Sequence, residues 1–224
     1  MKQITPLIVL SLVVFGACSH KPTQQTVNCW ATTFDVPPNN QPTSYFPSGT
    51  FLPDELRDKH LVNWYARSLN ELGEPSFQSM AASNLESYRF LWLRSFHPGV
   101  AIRVWRCPVG YCITSKQLDS LDRYTDGAFV PTAKLAVNNS RPLRADDWDR
   151  FLSRLNGAQF WSLPTVDGKP MANDGAAWLL EGTRASNYHV VDRQSPVDGA
   201  YREACLYLLT LSQLKVDASK HELY

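Results

Sequence analysis

The chain has 224 residues, 44% of them hydrophobic, and 22 Lys and Arg against 21 Asp and Glu leave a formal charge of +1. That length allows one domain with a substantial core. So balanced a charge argues against a nucleic-acid partner.

The first seventeen residues place Lys2 ahead of the apolar run ITPLIVLSLVVF and end in Gly16-Ala17. A positive start, an apolar segment too short for a stable membrane span and small residues after it have the layout of a secretory signal. Within this region FGAC at 15–18 resembles the lipobox of bacterial lipoproteins, although Phe15 stands where Leu is usual. The resemblance implies cleavage before Cys18 and attachment of lipid to it. Ser19 resembles the type sorted to the outer membrane, facing the periplasm. Ordinary cleavage after Ser19, giving a soluble periplasmic or secreted protein, is the alternative. No second apolar stretch reaches transmembrane length.

Residues 18–50 are rich in Pro, Asn, Gln and Thr and have no helix or strand period, which predicts a tether interrupted by Cys29 and Trp30. A single domain is expected over 51–216, followed by a polar tail, 217–224. Its first helix lies in DELRDKHLVNWYARSLNELG, where Leu61, Trp64, Tyr65, Leu69 and Leu72 share a face and Gly73 with Pro75 marks the stop. SYRFLWLRSF, VAIRVWRC and CITSKQL then read as a three-stranded meander. The polar section 119–143 predicts loop with one short strand at AKLAV. DDWDRFLSRLNG is a second helix, with Trp148, Phe151, Leu152 and Leu155 inward, Asp146 as N-cap and Gly157 at its end. GAAWLLEG and NYHVVDR, with TRAS between, predict a hairpin. A last helix puts Tyr201, Ala204, Cys205, Leu208, Leu209 and Ser212 on one face. The sum is α+β, an antiparallel sheet of five to six strands with three main helices.

Beyond Cys18 four cysteines remain, an even number that suits two disulfides in an oxidising compartment. PVGY between Cys107 and Cys112 reads as a four-residue loop with the two cysteines facing one another. That predicts Cys107–Cys112 and leaves Cys29–Cys205. A zinc site is the weaker reading of Cys-x4-Cys, because no His-x-His or His-Glu-x-x-His pattern accompanies it. No metal and no cofactor is expected.

The candidate catalytic residues cluster in the hairpin: His189 as general base or acid, Glu181 or Asp192 to orient it, and Arg193 to hold an anion. His189 and Asp192 are three apart on one strand and so point to opposite faces. Whether Glu181 shares a face with His189 depends on the loop length, since one residue more or less reverses it.

FLSRLNGAQFWSLP, DGAAWLLEG and NYHVVDRQSP, in that order and followed by a leucine-rich helix, resemble a group of uncharacterised bacterial proteins with the motifs FWxLP, DGxxWxxEG and YHVVDRxSP. The resemblance covers about 148–214. Gln194 stands where that group often has Trp, and the resemblance implies a fold unit and no mechanism. The expected function is that of a non-enzymatic, lipid-anchored envelope protein binding an unknown partner or ligand. Seven Trp and nine Tyr suffice for a core, a binding face or both. The alternatives are an envelope hydrolase using His189 with a carboxylate, and an immunity-type protein that neutralises a toxin.

Overall fold

A computed structural model describes residues 28–29, 34, 36–37, 42–52, 54–82, 85–121, 123–125, 128–130, 133–168 and 174–215. The expected signal segment 1–17, the expected lipid-bearing Cys18 and the expected polar tail 217–224 lie outside the described residues. The elements are α1 (Glu55–Glu71), α2 (Phe77–Ala82), β1 (Ser87–Arg94), β2 (His97–Cys107), β3 (Gly110–Leu118), β4 (Arg123–Thr125), β5 (Ala128–Val130), β6 (Leu135–Leu143), α3 (Ala145–Gly157), β7 (Ala176–Arg184), β8 (Asn187–Gln194) and α4 (Ala200–Ser212). Six strands form one sheet in the order β6-β3-β2-β1-β7-β8, with each neighbouring pair antiparallel, and β4 pairs with β5 separately. The fold is α+β.

Both faces of the sheet are covered. Tyr88, Phe90, Trp92, Ile102, Val104, Trp178, Leu180 and Val191 pack against α3 and α4, while Leu91, Leu93, Ala101, Leu179 and Val190 pack against α1. A strand buried on both faces reads as an unbroken apolar run, which is why β1 and β7 show no polar alternation in the sequence. β6 is the reverse case. It is an edge strand of nine residues, mostly exposed, so LAVNNSRPL lacks an apolar face and only its first part is legible as a strand. Pro142 is tolerated there because an edge strand has one side free of ladder hydrogen bonds.

The predicted helices stand where the apolar faces put them, with two differences in detail. α3 is capped by Arg144, with no side-chain cap bond, and Asp146 lies in the first turn. Arg144 instead donates from Nε to Asp147 Oδ2 at 2.9 Å and from Nη2 to Oδ1 at 3.1 Å, and both carboxylates sit at the positive end of the helix. The packed body also begins earlier than residue 51. Tyr45 and Phe46 are fully buried beside Phe51 and Tyr65, and the Asp58 carboxylate accepts from the Gly49 and Phe51 N–H groups. Average composition concealed two aromatic anchors in a Pro-rich stretch.

The disulfide is Cys29–Cys112, with Cα atoms 5.7 Å apart, and Cys107 and Cys205 are free and buried. Both predicted pairings are therefore corrected. The β2–β3 turn is two residues, Pro108 and Val109, so Cys107 pairs with Gly110 and Cys112 lies across from Trp105. Cys205 packs in the α4 core, whereas Cys29 packs with Trp105, Cys107 and Cys112 on the other face. The sheet itself stands between Cys29 and Cys205. The bond closes a separation of 83 residues, a constraint on the unfolded chain worth about 4 kcal/mol.

The β7–β8 hairpin turns on Ala185 and Ser186, at φ 50° and 63°, and pairs Arg184 with Asn187. This tight turn sets Gly182 opposite His189. A Cβ on Gly182 would lie 2.8 Å from a Tyr88 ring carbon and 2.9 Å from one of Phe160. Gly182→Ala is expected to lower the unfolding free energy by about 1–3 kcal/mol through overpacking. Denaturant titration checks this, and unchanged stability would contradict the packing described.

Candidate functional site

The residues singled out in the hairpin do not converge. Glu181 pairs with Val190 across the ladder and faces α1, whereas His189 faces the α3 side. His189 sits against Phe160, with ring centroids 5.0 Å apart, and its Nε2 lies 3.0 Å from the Leu163 carbonyl oxygen. Burial lowers its pKa, while the carbonyls of Leu163 and Phe160 pull it up. Arg193 shares that side. Its Nη1 donates to the oxygens of Thr165 at 3.1 Å and Asp192 at 2.6 Å, and its Nη2 donates to Pro164 at 2.9 Å. Both side chains thus fasten the 163–165 segment to β8. Asp192 projects the other way and accepts a hydrogen bond from the Tyr65 hydroxyl at 3.0 Å. Burial raises its carboxyl to about 6, despite Tyr65, Arg57 and Arg193. Neither Glu181 nor Asp192 shares the face of His189, so neither is placed to form an acid–base pair with it.

Glu181 belongs to a different constellation. On the α1 face the register aligns Glu181 of β7, Arg89 of β1, Arg103 of β2, Thr114 of β3 and Ser140 of β6 in one row across five strands. Arg89 donates from Nε to Glu181 Oε2 at 2.9 Å and also from Nη2, and Tyr188 donates to Oε1 at 3.0 Å. Arg89 and Arg103 are directly opposed, an arrangement of like charges that is unfavourable unless something neutralises it.

Glu74 does so. After α1 the chain forms a Schellman turn: Gly73 at φ 60° donates to Asn70, and Glu74 donates to Leu69. This reversal aims the Glu74 side chain at the sheet. Its Oε2 lies 2.9 Å from Arg103 Nε and 3.5 Å from Arg89 Nη1, and its Oε1 lies 3.0 Å from Lys116 Nζ. Lys116 also donates to the Gly73 carbonyl at 2.6 Å, and Arg89 Nη1 to that of Pro75 at 2.6 Å. Burial raises the Glu74 carboxyl, but Arg103, Lys116 and Arg89 outweigh it and hold it at about 2. The same burial lowers Arg103 below its ordinary value against the pull of Glu74. For Arg89, burial is outweighed by Glu181 and Glu74, and its value rises.

This network opens at one end. Arg103, Lys116, Thr114, Asn138 and Ser140 line a cleft of about 160 Å³, walled by Trp105, Phe34, Cys29 and the turn Gly73–Pro75. Among the described residues three cations meet two carboxylates, so one positive charge is in excess. Glu181 is spent on Arg89, which leaves Glu74 alone against Arg103 and Lys116 at the cleft. The Arg103 guanidinium lies 4.4 Å from the Phe34 ring centroid and 4.6 Å from that of Trp105. Among the described residues no hydrogen-bond acceptor meets Arg103 Nη1 or Trp105 Nε1. A larger cleft of about 570 Å³ runs along α1, but its buried charge, Asp58, is taken up by Gly49 and Phe51.

Sequence reasoning passed over Glu74, Arg89, Arg103 and Lys116. The available signal was an Arg in the middle of each apolar strand, at 89 and 103, where a solvated charge has no place. Among the described residues no three His, Cys, Asp or Glu side chains are grouped as a metal site would require. No helix of the described residues is long and apolar enough to cross a membrane. No family model, curated protein or solved structure matches the chain.

Removing one member of a buried ion cluster strands the others, so Glu74→Gln is expected to cost about 3–5 kcal/mol of stability at neutral pH. The folded carboxyl lies below its ordinary value of 4.5, so its contribution is present above pH 4.5 and is lost as pH falls toward 2. Unfolding of both proteins across this range should show their difference shrinking with acid. A difference that does not vary with pH would contradict the assignment.

Proposed function

We propose that the protein is an exported envelope protein, anchored by lipid on Cys18, that binds a ligand without converting it. The group it recognises is a carboxylate seated in the cleft over Arg103 and Lys116. The observation that carries this reading is the charge of the cleft floor. Two cations there share one carboxylate, and the hydroxyls of Thr114 and Ser140 and the amide of Asn138 surround them. Lys and Arg both make charge-assisted bonds to carboxylates, and the small volume suits one anionic group of a larger molecule better than a drug-sized ligand.

The reading of binding without turnover is supported by how the titratable groups are used. His189 and Arg193 hold backbone carbonyls, and Glu181 is locked to Arg89 and Tyr188. Export is supported by the apolar start ending in Gly-Ala-Cys and by a buried disulfide, which persists most readily in an oxidising compartment.

Calorimetric titration with acetate, inorganic phosphate, and a tripeptide with free or amidated C-terminus tests the cleft. Saturable binding of the free carboxylates is expected, weakened about tenfold or more in Lys116→Gln as one charge-assisted bond is lost. Binding of phosphate alone would overturn the carboxylate assignment. Binding of none, or equal binding by Lys116→Gln, would overturn the cleft. For the anchor, the full chain expressed with labelled fatty acid should be labelled and membrane-bound, and Cys18→Ser unlabelled and soluble. An unlabelled, soluble parent protein would contradict lipidation.

A further inference from the structure

Two buried residues on one wall of the cleft carry donors that meet no acceptor among the described residues: the indole Nε1 of Trp105 and Nη1 of Arg103. The guanidinium lies 4.6 Å from the centre of the indole ring, so the two unmet donors are neighbours. A buried N–H without a partner is costly, because it has given up its hydrogen bond to water and gained none. The indole nitrogens of Trp92 and Trp178 also meet no acceptor, but both rings sit in the core against α3 and α4, and neither lines this cleft. Lys116 adds a third donor. Its ammonium carries three hydrogens and meets two acceptors, Glu74 Oε1 at 3.0 Å and the Gly73 carbonyl at 2.6 Å.

The same walls offer nothing to a cation. Of the described residues that line the cleft none is acidic. Glu74 does not line it and is held by Arg103, Lys116 and Arg89. What the lining presents to a neutral N–H is the amide oxygen of Asn138 and the hydroxyl oxygens of Thr114 and Ser140, which lie 2.6 Å apart.

We infer that the cleft selects acylated over free amino acids, with the indole N–H of Trp105 donating to a carboxylate oxygen beside Arg103. This rests on the reading of the cleft as a carboxylate site and adds the class of carboxylate that it admits. An ionised carboxylate only accepts, through two oxygens with about four lone-pair sites, and so can meet the indole, Arg103 Nη1 and Lys116 together. A free amino acid carries an ammonium on the carbon next to its carboxylate. That charge would enter beside Arg103 and Lys116 with no acidic side chain in the lining to offset the repulsion, in surroundings less polar than water. Acylation removes the charge and leaves an amide N–H, which Asn138 and the two hydroxyls are able to accept. The class is therefore N-acylated amino acids, the C-terminal residue of a peptide among them.

The test is calorimetric titration of the full chain with acetate, N-acetylalanine and alanine, together with magnetic resonance of the indole N–H groups of the parent protein. N-acetylalanine is expected to bind at least about tenfold more tightly than alanine, being free of repulsion by the two cations. The Trp105 indole N–H resonance should shift saturably as N-acetylalanine is added, while those of Trp92 and Trp178 stay fixed. Trp105→Phe keeps a ring against Arg103 but loses the donor, and should bind N-acetylalanine about tenfold more weakly. Equal binding of N-acetylalanine and alanine, with acetate also bound, overturns the selectivity and leaves the carboxylate site standing. A Trp105 resonance that stays fixed while N-acetylalanine saturates overturns the role of the indole, whether or not Trp105→Phe folds. Binding of neither acetate nor N-acetylalanine overturns the carboxylate site and this inference with it.

Discussion

One carboxylate, that of Glu74, holds together the side of the sheet that faces α1. Arg89 and Arg103 are directly opposed on neighbouring strands and Lys116 lies on the next, all three buried or nearly so. In a low-dielectric interior such a group of cations would repel the strands that carry them. A single residue in a turn, placed by the Schellman motif at the end of α1, reaches all three. The position of α1 over the sheet and the β1–β2–β3 register are thus tied to the same contact. Such a cluster is costly to desolvate and costly to break, so its value lies in specifying one arrangement more than in adding stability.

The network also explains where the surface opens. Toward β7 and β8 the row ends in Glu181, sealed by Arg89, Tyr188 and the α2 residue Phe77, whose ring lies 4.3 Å from the Arg89 guanidinium. Toward β3 and β6 the described residues supply no second carboxylate, and Thr114, Ser140 and Asn138 continue the row with neutral polar groups. The cleft is walled there by Cys29 and Phe34 instead of a helix. Excess positive charge and neutral polar neighbours fall at the same edge.

Much of this architecture was legible from local pattern. The apolar faces of α1, α3 and α4 follow the helical period, Gly73 and Pro75 mark a real stop, and β1 to β3 form the expected meander. What escaped depended on register and on which side of the sheet a residue faces. The Cys107–Cys112 pairing failed because the turn is two residues shorter than PVGY suggests. Cys29–Cys205 failed because the two cysteines lie on opposite faces. Glu181 and His189 were separable only once the Ala185-Ser186 turn fixed the ladder. Arg89, Arg103, Lys116 and Glu74 span four separate segments, and their meeting is a property of the assembled sheet.

The most direct measurement is magnetic resonance of the Lys116 Nζ and Arg103 Nε groups in the folded protein while a short-chain carboxylate is added. Saturable shifts confined to these two groups, with the Arg193 Nε resonance unmoved, are the predicted result. Lys116 and Arg103 resonances that stay fixed through the titration would contradict the assignment of the cleft.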